Sequence, residues 1–406
     1  MTGLRVDVHN WGGNLTYGAR RVLRPRSVDE LCGMVAGADR IKALGTTHSF
    51  SRVADTPGDL VTLADLPPRL EIAGDLVTVG AGMRFGEITG PLYEAGRALH
   101  NLGSLPHISV GGACATGTHG SGDGNPALAA AVHSIEMITA GGDLVTVDDP
   151  AAVVALGRLG VVTALTLKTL PTYDIQQVVY DDVPAEVLDD DLDGVLGAAY
   201  SVSLFTRYRG PVFEMAWLKR RVDPGAPWTP PETWLGGTRA PEQRHPIPGE
   251  PGDECTPQDG LPGPWHTRLP HFRLEFTPSK GEEIQSEFFV PREHGAAAVR
   301  AVRAQGERLA PVLLVSEVRT IAADELPASM AYRRDSVGLH FTWVQDQPAV
   351  EAAVAEVEAA IADFDPRPHW GKVFTMTPRR VPELRALADR LDPDGVFAND
   401  FTDEYL

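Results

Sequence analysis

A histidine stands on a small-residue turn near the amino end of the chain. Residues 44–51 read LGTTHSFS, which places His48 directly after Thr46 and Thr47 on a turn that begins at Gly45. Glycine and its small neighbours let the backbone approach a ligand closely. A histidine held there could be a metal ligand, a general base, a covalent anchor or a polar loop residue. The residues of this turn alone leave all four roles open.

A second segment, 103–124, reads GSLPHISVGGACATGTHGSGDG and contains seven glycines, two histidines and almost no charge. Backbone amides in such a loop can bind phosphate oxygens without a lysine, and a helix N-terminus would add to them. The order GTHGSG does not fit the G-x-G-x-x-G pattern of a Rossmann unit, and the Gly-Lys-Ser/Thr of a P-loop is absent. The segment therefore predicts a pyrophosphate-binding loop of another kind, with a glycine-rich surface loop as the alternative.

Charged and polar residues alternate on two apolar segments in the second half of the chain. SEVRT reads as a strand, which places Glu317 and Arg319 on one face, and GLHFTWV places His340 and Thr342 on one face. HWGKV carries Lys372 after a glycine, in a chain with few lysines. Such groups could bind a hydroxyl and ease the loss of its proton. A carboxylate and a guanidinium on an apolar strand could equally form a purely structural ion pair.

The overall charge restricts the partners. The chain has 406 residues, with 36 basic and 55 acidic side chains and a formal net charge of −19. A field of that sign repels phosphate backbones and anionic lipid, so nucleic acid and membrane surfaces are excluded as partners. No stretch approaches the ~20 apolar residues of a membrane span. The segment MTGLRVDVHNWGG does not resemble a signal peptide, so we expect no secretory leader. We expect a cytoplasmic protein that acts on a neutral small molecule.

Metal and disulfide chemistry is not indicated. A zinc hydrolase built from His48, His107 and His119 has neither suitable ligand spacing nor an H-E-x-x-H motif, so we predict no metal. The cysteines are far apart and odd in number, which argues against a disulfide framework. They are Cys32, Cys114 and Cys255.

The elements that must position these residues follow from patterning. In the first ~170 residues, one domain of ordinary size, the predicted strands are 4–8, 40–44, 59–63, 75–79, 143–147 and 160–170. The strands at 75–79 and 143–147 each follow a Gly-containing turn, which is a hairpin signature. Ser27 and Glu30 predict a capping box that opens a helix through Val35.

The second half predicts strands and helices at mixed spacing. Residues 223–282 are rich in Pro and Gly, but Trp and Phe recur among them, so we expect ordered connections. The predicted strands are 284–290, 311–320 and 336–344, the helices are 296–309 and 348–364, and the tail ends in a helix and a turn. Such a mixture indicates an α+β second domain.

Several motifs together resemble a known family. GTTHSFS, GSLPHISVGGACATGTHGSG and LGRLGVVTALTL resemble the FAD-binding (PCMH-type) domain of vanillyl-alcohol-oxidase-type flavoproteins. RPHWGKVF and DPDGVFAN are similar to its alditol (xylitol, sorbitol) and aldonolactone oxidase branch, and SVSLFT, AWLKRR, HPIPG, LPHFRLEFTPS, SEVRT and HFTWV extend the likeness along the chain. The resemblance implies a two-domain α+β fold: an FAD-binding domain at 1–174, a substrate-binding cap domain at 175–372 and a C-terminal segment at 373–406 that returns to the FAD domain.

The resemblance also implies the cofactor and its attachment. FAD would be bonded through His48 to a methyl carbon of the isoalloxazine ring, because a neutral imidazole is a good nucleophile. Where the family usually has Gly-Ser-Gly before this histidine, Thr46 and Thr47 intervene, so the turn must be reshaped if the second position requires a positive φ. Cys114, a conceivable second anchor at the expected start of a helix, is predicted only to pack. The other cofactor contacts implied are Gly45, Thr46, Thr47, Ser49, Phe50, Gly103, Ser104, Ser109, Gly112, Thr116, Gly117, Thr118, His119, Gly120, Ser121, Val162, Lys372 and Asn399.

For the substrate the resemblance implies a polyol pocket of Ser104, Glu317, Arg319, Thr342 and Lys372. Arg319 and Lys372 would hold the reacting hydroxyl and lower its pKa, while His340 would accept its proton or organise the acceptor. The implied activity is oxidation of the terminal alcohol of an alditol to the aldose, with O2 reduced to H2O2 by a monomeric enzyme. Oxygen is expected as the acceptor because Gly103 has no side chain to block its approach to the flavin. Alternatives are an aldonolactone oxidase or dehydrogenase, and a carbohydrate-binding protein that has lost turnover.

Overall fold

A computed structural model describes residues 8–222, 228–276 and 281–406 of the protein. The strand predicted at 4–8 lies outside these ranges except for Val8, which belongs to no strand. Within them, no helix combines the length and the apolar character that crossing a bilayer requires.

The described residues form strands and helices throughout. The strands are β1 (Arg21–Leu23), β2 (Ile41–Leu44), β3 (Asp59–Thr62), β4 (Leu70–Ala73), β5 (Leu76–Gly80), β6 (Arg97–Ala98), β7 (Val132–Ile138), β8 (Leu144–Val147), β9 (Val161–Lys168), β10 (Leu170–Pro171), β11 (Asp174–Pro184), β12 (Ser201–Thr206), β13 (Val212–Val222), β14 (Thr233–Trp234), β15 (Gly237–Arg239), β16 (Gly263–Pro264), β17 (Glu283–Pro291), β18 (Leu313–Ile321), β19 (Ser336–Val344) and β20 (Arg367–Pro368). The helices are α1 (Val28–Ala36), α2 (Phe85–Glu94), α3 (Val110–Ala115), α4 (Val187–Leu196), α5 (Gly295–Arg303), α6 (Gly306–Leu309), α7 (Gln347–Ile361), α8 (Pro382–Leu391) and α9 (Asp400–Tyr405).

The amino-terminal half contains two main sheets. One is parallel, in the order β1-β3-β2, and the other is antiparallel, in the order β4-β5-β9-β7-β8. The two predicted hairpins, β4–β5 and β7–β8, are confirmed. Their turns place Gly74 at φ +66° and Gly142 at φ +84°, a conformation that glycine adopts without strain.

Half of the predicted capping box forms at α1. The Ser27 side chain accepts a hydrogen bond from the Glu30 amide at 3.1 Å. The Glu30 carboxylate accepts from the amide of Arg26 at 2.8 Å rather than from that of Ser27. The helix itself is confirmed and ends at Ala36.

A large antiparallel sheet occupies the second half, in the order β14-β15-β11-β13-β12-β18-β19-β17-β20, with β16 beside β11. Because side chains alternate along a strand, one face carries apolar residues such as Leu339 and Phe341. That face packs against α4, α5 and α7. Burying a large apolar side chain such as Phe341 in this core stabilises the folded state by about 1.5–3 kcal/mol. The opposite face carries Glu287, Glu317 and His340.

Two helices differ from the sequence-based expectation. The single helix predicted at 296–309 is wrong, since α5 ends at Arg303 and α6 begins at Gly306. A side chain at Gly306 would come within 2.3 Å of the Tyr208 carbonyl, so the packing demands glycine where the helix would continue, and glycine is a poor helix former. The tail adds a helix, α9, to the one predicted there.

The carboxyl-terminal helices pack against the amino-terminal half. Leu384, Phe397 and Phe401 belong to the same apolar core as Leu31 and Val61. In the proline-rich region, the described residues 228–276 are ordered around Trp265, whose side chain is fully buried. The large sheet begins at Asp174, near the proposed border at 174, but the domain boundaries stay predictions.

Candidate active site

One continuous cavity of about 350 Å³ contains both small-residue loops and the polar face of the large sheet. Residues 44–50, most of 103–119 and parts of 152–162 line one region of it. Side chains of β17, β18 and β19 line the other region, together with His369, Gly371 and Lys372. The fold thus joins the two predicted sites, whose residues lie up to 328 positions apart in sequence, in a single space.

The loop side of the cavity fits a phosphate-bearing cofactor. Among the described residues, the backbone amides of 46–49 donate no hydrogen bond to the protein, so they can donate to a ligand. A side chain at Gly45 would come within 2.8 Å of the Ser109 hydroxyl, so only glycine lets these two loops approach each other. The Ser109 amide donates to the Thr46 hydroxyl at 3.3 Å and ties the loops together.

His48 lines this region and presents an unused nitrogen. Its ring stacks on Trp11, with centroids 5.1 Å apart and an interplanar angle of 19°. Nδ1 is buried and has no hydrogen-bond partner within the described part of the chain. Burial lowers the pKa of His48 to about 4, so the imidazole is neutral at physiological pH. A neutral, fixed imidazole with an unpartnered nitrogen is suited to form a bond to an electrophilic carbon.

The turn before His48 is not reshaped by threonine. Thr47 itself adopts φ +61°, in the left-handed region, and its carbonyl accepts a hydrogen bond from the Trp11 amide at 2.9 Å. A β-branched residue is strained in this conformation by roughly 1–2 kcal/mol. The loop therefore keeps the backbone that a glycine would adopt freely and bears the strain.

The polar face of the large sheet brings three ionisable groups into one row. His340 on β19 pairs in register with Glu287 on β17 at one side and with Glu317 on β18 at the other. Arg319 on β18 lies opposite Gly338 on β19. A Cβ at position 338 would lie only 3.3 Å from the Glu287 carboxylate. The missing side chain leaves Arg319 room to reach across β19.

Glu287 is the centre of this charge cluster, and sequence reasoning missed it. The guanidinium of Arg319 donates to its Oε1 from Nε at 3.0 Å and from Nη2 at 2.8 Å, and Lys372 Nζ donates to Oε2 at 2.7 Å. The expected pair of Arg319 with Glu317 is longer, at 3.4 Å. Burial raises the pKa of Glu287, but the two cations outweigh it and hold that pKa well below its usual range. The one available signal was a charge inside the apolar run IQSEFFV.

His340 is a neutral acceptor beside the cations. Its Nε2 lies 3.1 Å from the Gln285 side-chain oxygen, so Nε2 carries the ring proton and Nδ1 keeps a lone pair. Burial, with Lys372 nearby, lowers the pKa of His340 well below its ordinary value. The ring can take up a proton transiently but does not hold one at rest.

Comparisons with known proteins agree with this geometry. Residues 19–148 match the family model of the FAD binding domain, and residues 278–405 match that of D-arabinono-1,4-lactone oxidase. An alditol oxidase from Streptomyces sp. is 45% identical, and the match covers 99% of this chain and 100% of that protein. The chain belongs to the alditol oxidase family. It is an FAD-dependent oxidoreductase, as the resemblance predicted.

A more distant relative and a solved structure are also similar to this chain. The L-gulono-1,4-lactone dehydrogenase of Mycobacterium tuberculosis is 29% identical to this alditol oxidase family member over 98% of both chains. The crystal structure of cholesterol oxidase from B. sterolicum has a TM-score of 0.77 and 16% identity, covering 98% of this chain and 96% of that one. This structural likeness concerns the fold alone, and it confirms the predicted two-domain α+β class.

Most residues predicted for the site line the cavity. They are Gly45, Thr46, Thr47, His48, Ser49, Phe50, Gly103, Ser104, Ser109, Gly112, Thr116, Thr118, His119, Val162, Glu317, Arg319, His340, Thr342 and Lys372. The cavity brings them together, whereas their individual roles stay predictions.

Four predicted cofactor residues, Gly117, Gly120, Ser121 and Asn399, are not part of the cavity lining. The Ser121 hydroxyl hydrogen-bonds the Ser201 hydroxyl. Asn399 caps α9, and its side-chain amide donates to the backbone carbonyls of Arg52, Val53 and Asp55. Gly117 packs against Met330, and Gly120 packs against Asn101. Their contact with the cofactor stays a prediction that this geometry does not favour.

Cys114 lies near the end of α3, not at its start as expected. The thiol is buried in the apolar core, and burial raises its pKa to about 12. The protonated, buried thiol packs, which agrees with the structural role predicted for it.

One group among the described residues has the composition of a metal site. The ligand atoms of His119, Glu287 and His369 lie within 4.8 Å of one another. However, the carboxylate already binds two cationic side chains, and His369 Nδ1 accepts from the Gly371 amide at 3.0 Å. The two cations repel a metal ion, so we interpret the group as part of the charge cluster.

The strain at Thr47 leads to a test. Thr47→Gly is expected to raise the free energy of unfolding by about 1 kcal/mol, because the left-handed conformation then carries no Cβ clash. Chemical denaturation of the flavin-loaded protein measures the change. Thr47→Ala is the matched control, since it keeps the Cβ and is expected to give no gain. Equal stabilisation by both variants would contradict the strain.

Proposed function

We propose that this member of the alditol oxidase family oxidises the terminal primary alcohol of an alditol, such as xylitol or sorbitol, to the aldose, with O2 as acceptor and H2O2 as product. The charge cluster supports this proposal. Two carboxylates, Glu287 and Glu317, face two cations, Arg319 and Lys372, in the cavity that the cofactor loops also line. A balanced cluster offers directional donors and acceptors without net charge, which suits a neutral polyol.

Each of these residues has a chemical task in the proposal. Arg319 and Lys372 bind the reacting hydroxyl and lower its pKa, since a nearby cation favours the alkoxide form. His340 accepts the hydroxyl proton at Nδ1. Ser104, Glu317 and Thr342 hydrogen-bond the remaining hydroxyls and set the position of the chain.

When bound, FAD would supply the acceptor for the hydride of the carbinol carbon and the route by which the two electrons reach O2. Gly103 lines the cavity, and a Cβ there would only touch Thr118 Cγ2 at 3.4 Å, an ordinary van der Waals distance, so the glycine simply adds no side chain to this wall. An open wall supports oxygen as the acceptor. Stopped-flow reoxidation of the reduced enzyme tests this point, and slow reaction with air beside fast reaction with a quinone would contradict it.

A covalent link at His48 gives a prediction of its own. His48→Ala is expected to leave a flavin that acid precipitation releases into the supernatant, whereas the parent protein keeps it in the pellet. Absorbance of both fractions measures the change without any turnover. His133→Ala, at an exposed histidine on β7, is the matched control and should retain the flavin. Release of flavin from the parent protein would contradict the covalent link.

A substrate panel tests the function. Xylitol, sorbitol, glycerol and galactono- and gulono-lactone are each assayed for peroxide release and for reduction of a dye acceptor. Peroxide from the alditols supports the proposal. The match of residues 278–405 to D-arabinono-1,4-lactone oxidase favours the one alternative, an aldonolactone oxidase or dehydrogenase, which turnover of the lactones alone would support. A monomeric state and a cytoplasmic location stay predictions.

A further inference from the structure

A second line of polar groups leads from Glu317 into the core behind the substrate site. Lys219 on β13 is only 1% exposed, and it does not line the cavity. Its Nζ contacts three acceptors: the Leu269 carbonyl, the Pro270 carbonyl at 3.3 Å and His271 Nδ1 at 3.2 Å. An ammonium group has three protons to donate, so these acceptors satisfy it completely.

The contact with Lys219 determines the tautomer of His271. Because Nδ1 accepts, the proton of the neutral ring is on Nε2, which lies 3.3 Å from Glu317 Oε1. Trp217 and Phe205 pack against the ring edge-on, with centroids 5.0 Å and 5.7 Å away, and oppose rotation. His271 therefore presents a fixed donor to Glu317.

Glu317 is held from both sides by this arrangement. His271 donates to Oε1, and Arg319 Nη1 lies 3.4 Å from Oε2. Each oxygen keeps a further lone pair for a ligand in the cavity. A carboxylate held in this way accepts hydrogen bonds in one orientation only.

We infer that Lys219 and His271 are positioning residues for substrate binding: Lys219 sets the tautomer of His271, and His271 orients the Glu317 carboxylate towards the hydroxyls of the polyol. This inference rests on the proposed function, because it names the group that Glu317 binds. Neither residue contacts the reacting atoms in this role. Their effect is therefore on KM rather than on kcat.

The arrangement depends on pH in a defined direction. Lys219 faces Glu317 and Arg319 from β18, Cys255 from the connection between β15 and β16, and His271 from the connection that follows β16. Burial lowers the pKa of Lys219 to about 7, although Glu317 opposes this effect. Above that pH the neutral amine has only two protons for three acceptors, so the ring proton can move to Nδ1 and Glu317 loses its donor. KM for the polyol is then expected to rise about tenfold between pH 6 and pH 9.

Steady-state kinetics on the flavin-loaded protein test the inference. Lys219→Met is expected to raise KM at pH 6 about tenfold with kcat changed less than threefold, and Lys219→Arg should keep KM low up to pH 9. His271→Gln, which can still donate to Glu317, should stay within threefold of the parent KM, whereas His271→Leu should not. A KM at pH 6 that is unchanged in both Lys219→Met and His271→Leu would overturn the inference.

Nitrogen NMR of histidine-labelled, flavin-loaded protein provides a readout without substrate. His271 is assigned by the loss of its signals in His271→Gln, and the Nε2–H tautomer at pH 6 supports the inference. An Nδ1–H tautomer overturns it, whether or not Lys219→Met folds. If the parent protein oxidises no alditol, the proposed function fails; the spectrum of Lys219→Met beside that of the parent still decides whether Lys219 sets the tautomer of His271.

Discussion

Replacing Lys372 with methionine is expected to lower kcat by about 10²–10³-fold, while the flavin absorbance of the protein persists. Lys372 Nζ lines the cavity and binds Glu287 at 2.7 Å, so it is placed to stabilise negative charge on the reacting oxygen. A preorganised cation in a site that excludes water contributes an effect of that size. Methionine keeps the length of the side chain and removes only the charge.

Kinetics and spectra separate this effect from a loss of cofactor. The absorbance near the flavin bands measures cofactor content, and kcat with saturating polyol measures turnover. Lys168→Met, at an exposed lysine that ends β9, is the matched control and should behave like the parent. Turnover within threefold of the parent in Lys372→Met would remove this lysine from the proposed site.

Glu287→Gln is expected to lower both stability and activity. The variant leaves Arg319 and Lys372 buried without the carboxylate that both now contact, and loss of one partner of a buried ion pair destabilises a protein by roughly 3–5 kcal/mol. Activity should fall by at least tenfold at neutral pH, because the two cations lose their anchor. Urea denaturation and kcat/KM measure the two effects.

The pH dependence of Glu287→Gln shows whether its loss of activity comes from a lower pKa of Lys372. Burial already lowers the pKa of Lys372, and Glu287 is the main group that opposes this effect. Without the carboxylate the pKa falls further, so Lys372 is charged only at lower pH, and the residual activity should increase as the pH decreases. Glu282→Gln, at an exposed neighbour just before β17, is the control. Parent-like stability in Glu287→Gln would show that the cluster does not depend on this carboxylate.

Local periodicity carried much of the prediction. Alternation along SEVRT and HFTWV placed Glu317 with Arg319, and His340 with Thr342, on shared faces, and the cavity now contains all four. The strands at 284–290, 311–320 and 336–344 were correct to within two residues at each end. Such features depend on neighbours in sequence, where the two-residue period of a strand acts directly.

Local periodicity did not predict the contacts between residues that are far apart in sequence. Glu287 was treated as one residue of an apolar strand, because its partners Arg319 and Lys372 lie 32 and 85 positions away. Lys219 and His271 meet across 52 positions, and no pattern in either segment indicates the contact. The break between α5 and α6 depends on the Tyr208 carbonyl, which is equally remote from Gly306.

The sequence by itself determined which groups are available: two glycine-rich loops with histidines, a set of charged residues on apolar strands and motifs that indicate a flavoprotein. Only the tertiary structure decided how those charges pair, with Glu287 rather than Glu317 as the main partner of Arg319. The physical reason is that the periodicity of a strand decides only which face each side chain occupies. Which acidic group the Arg319 side chain can reach depends on the order of the strands and on Gly338, the glycine opposite Arg319.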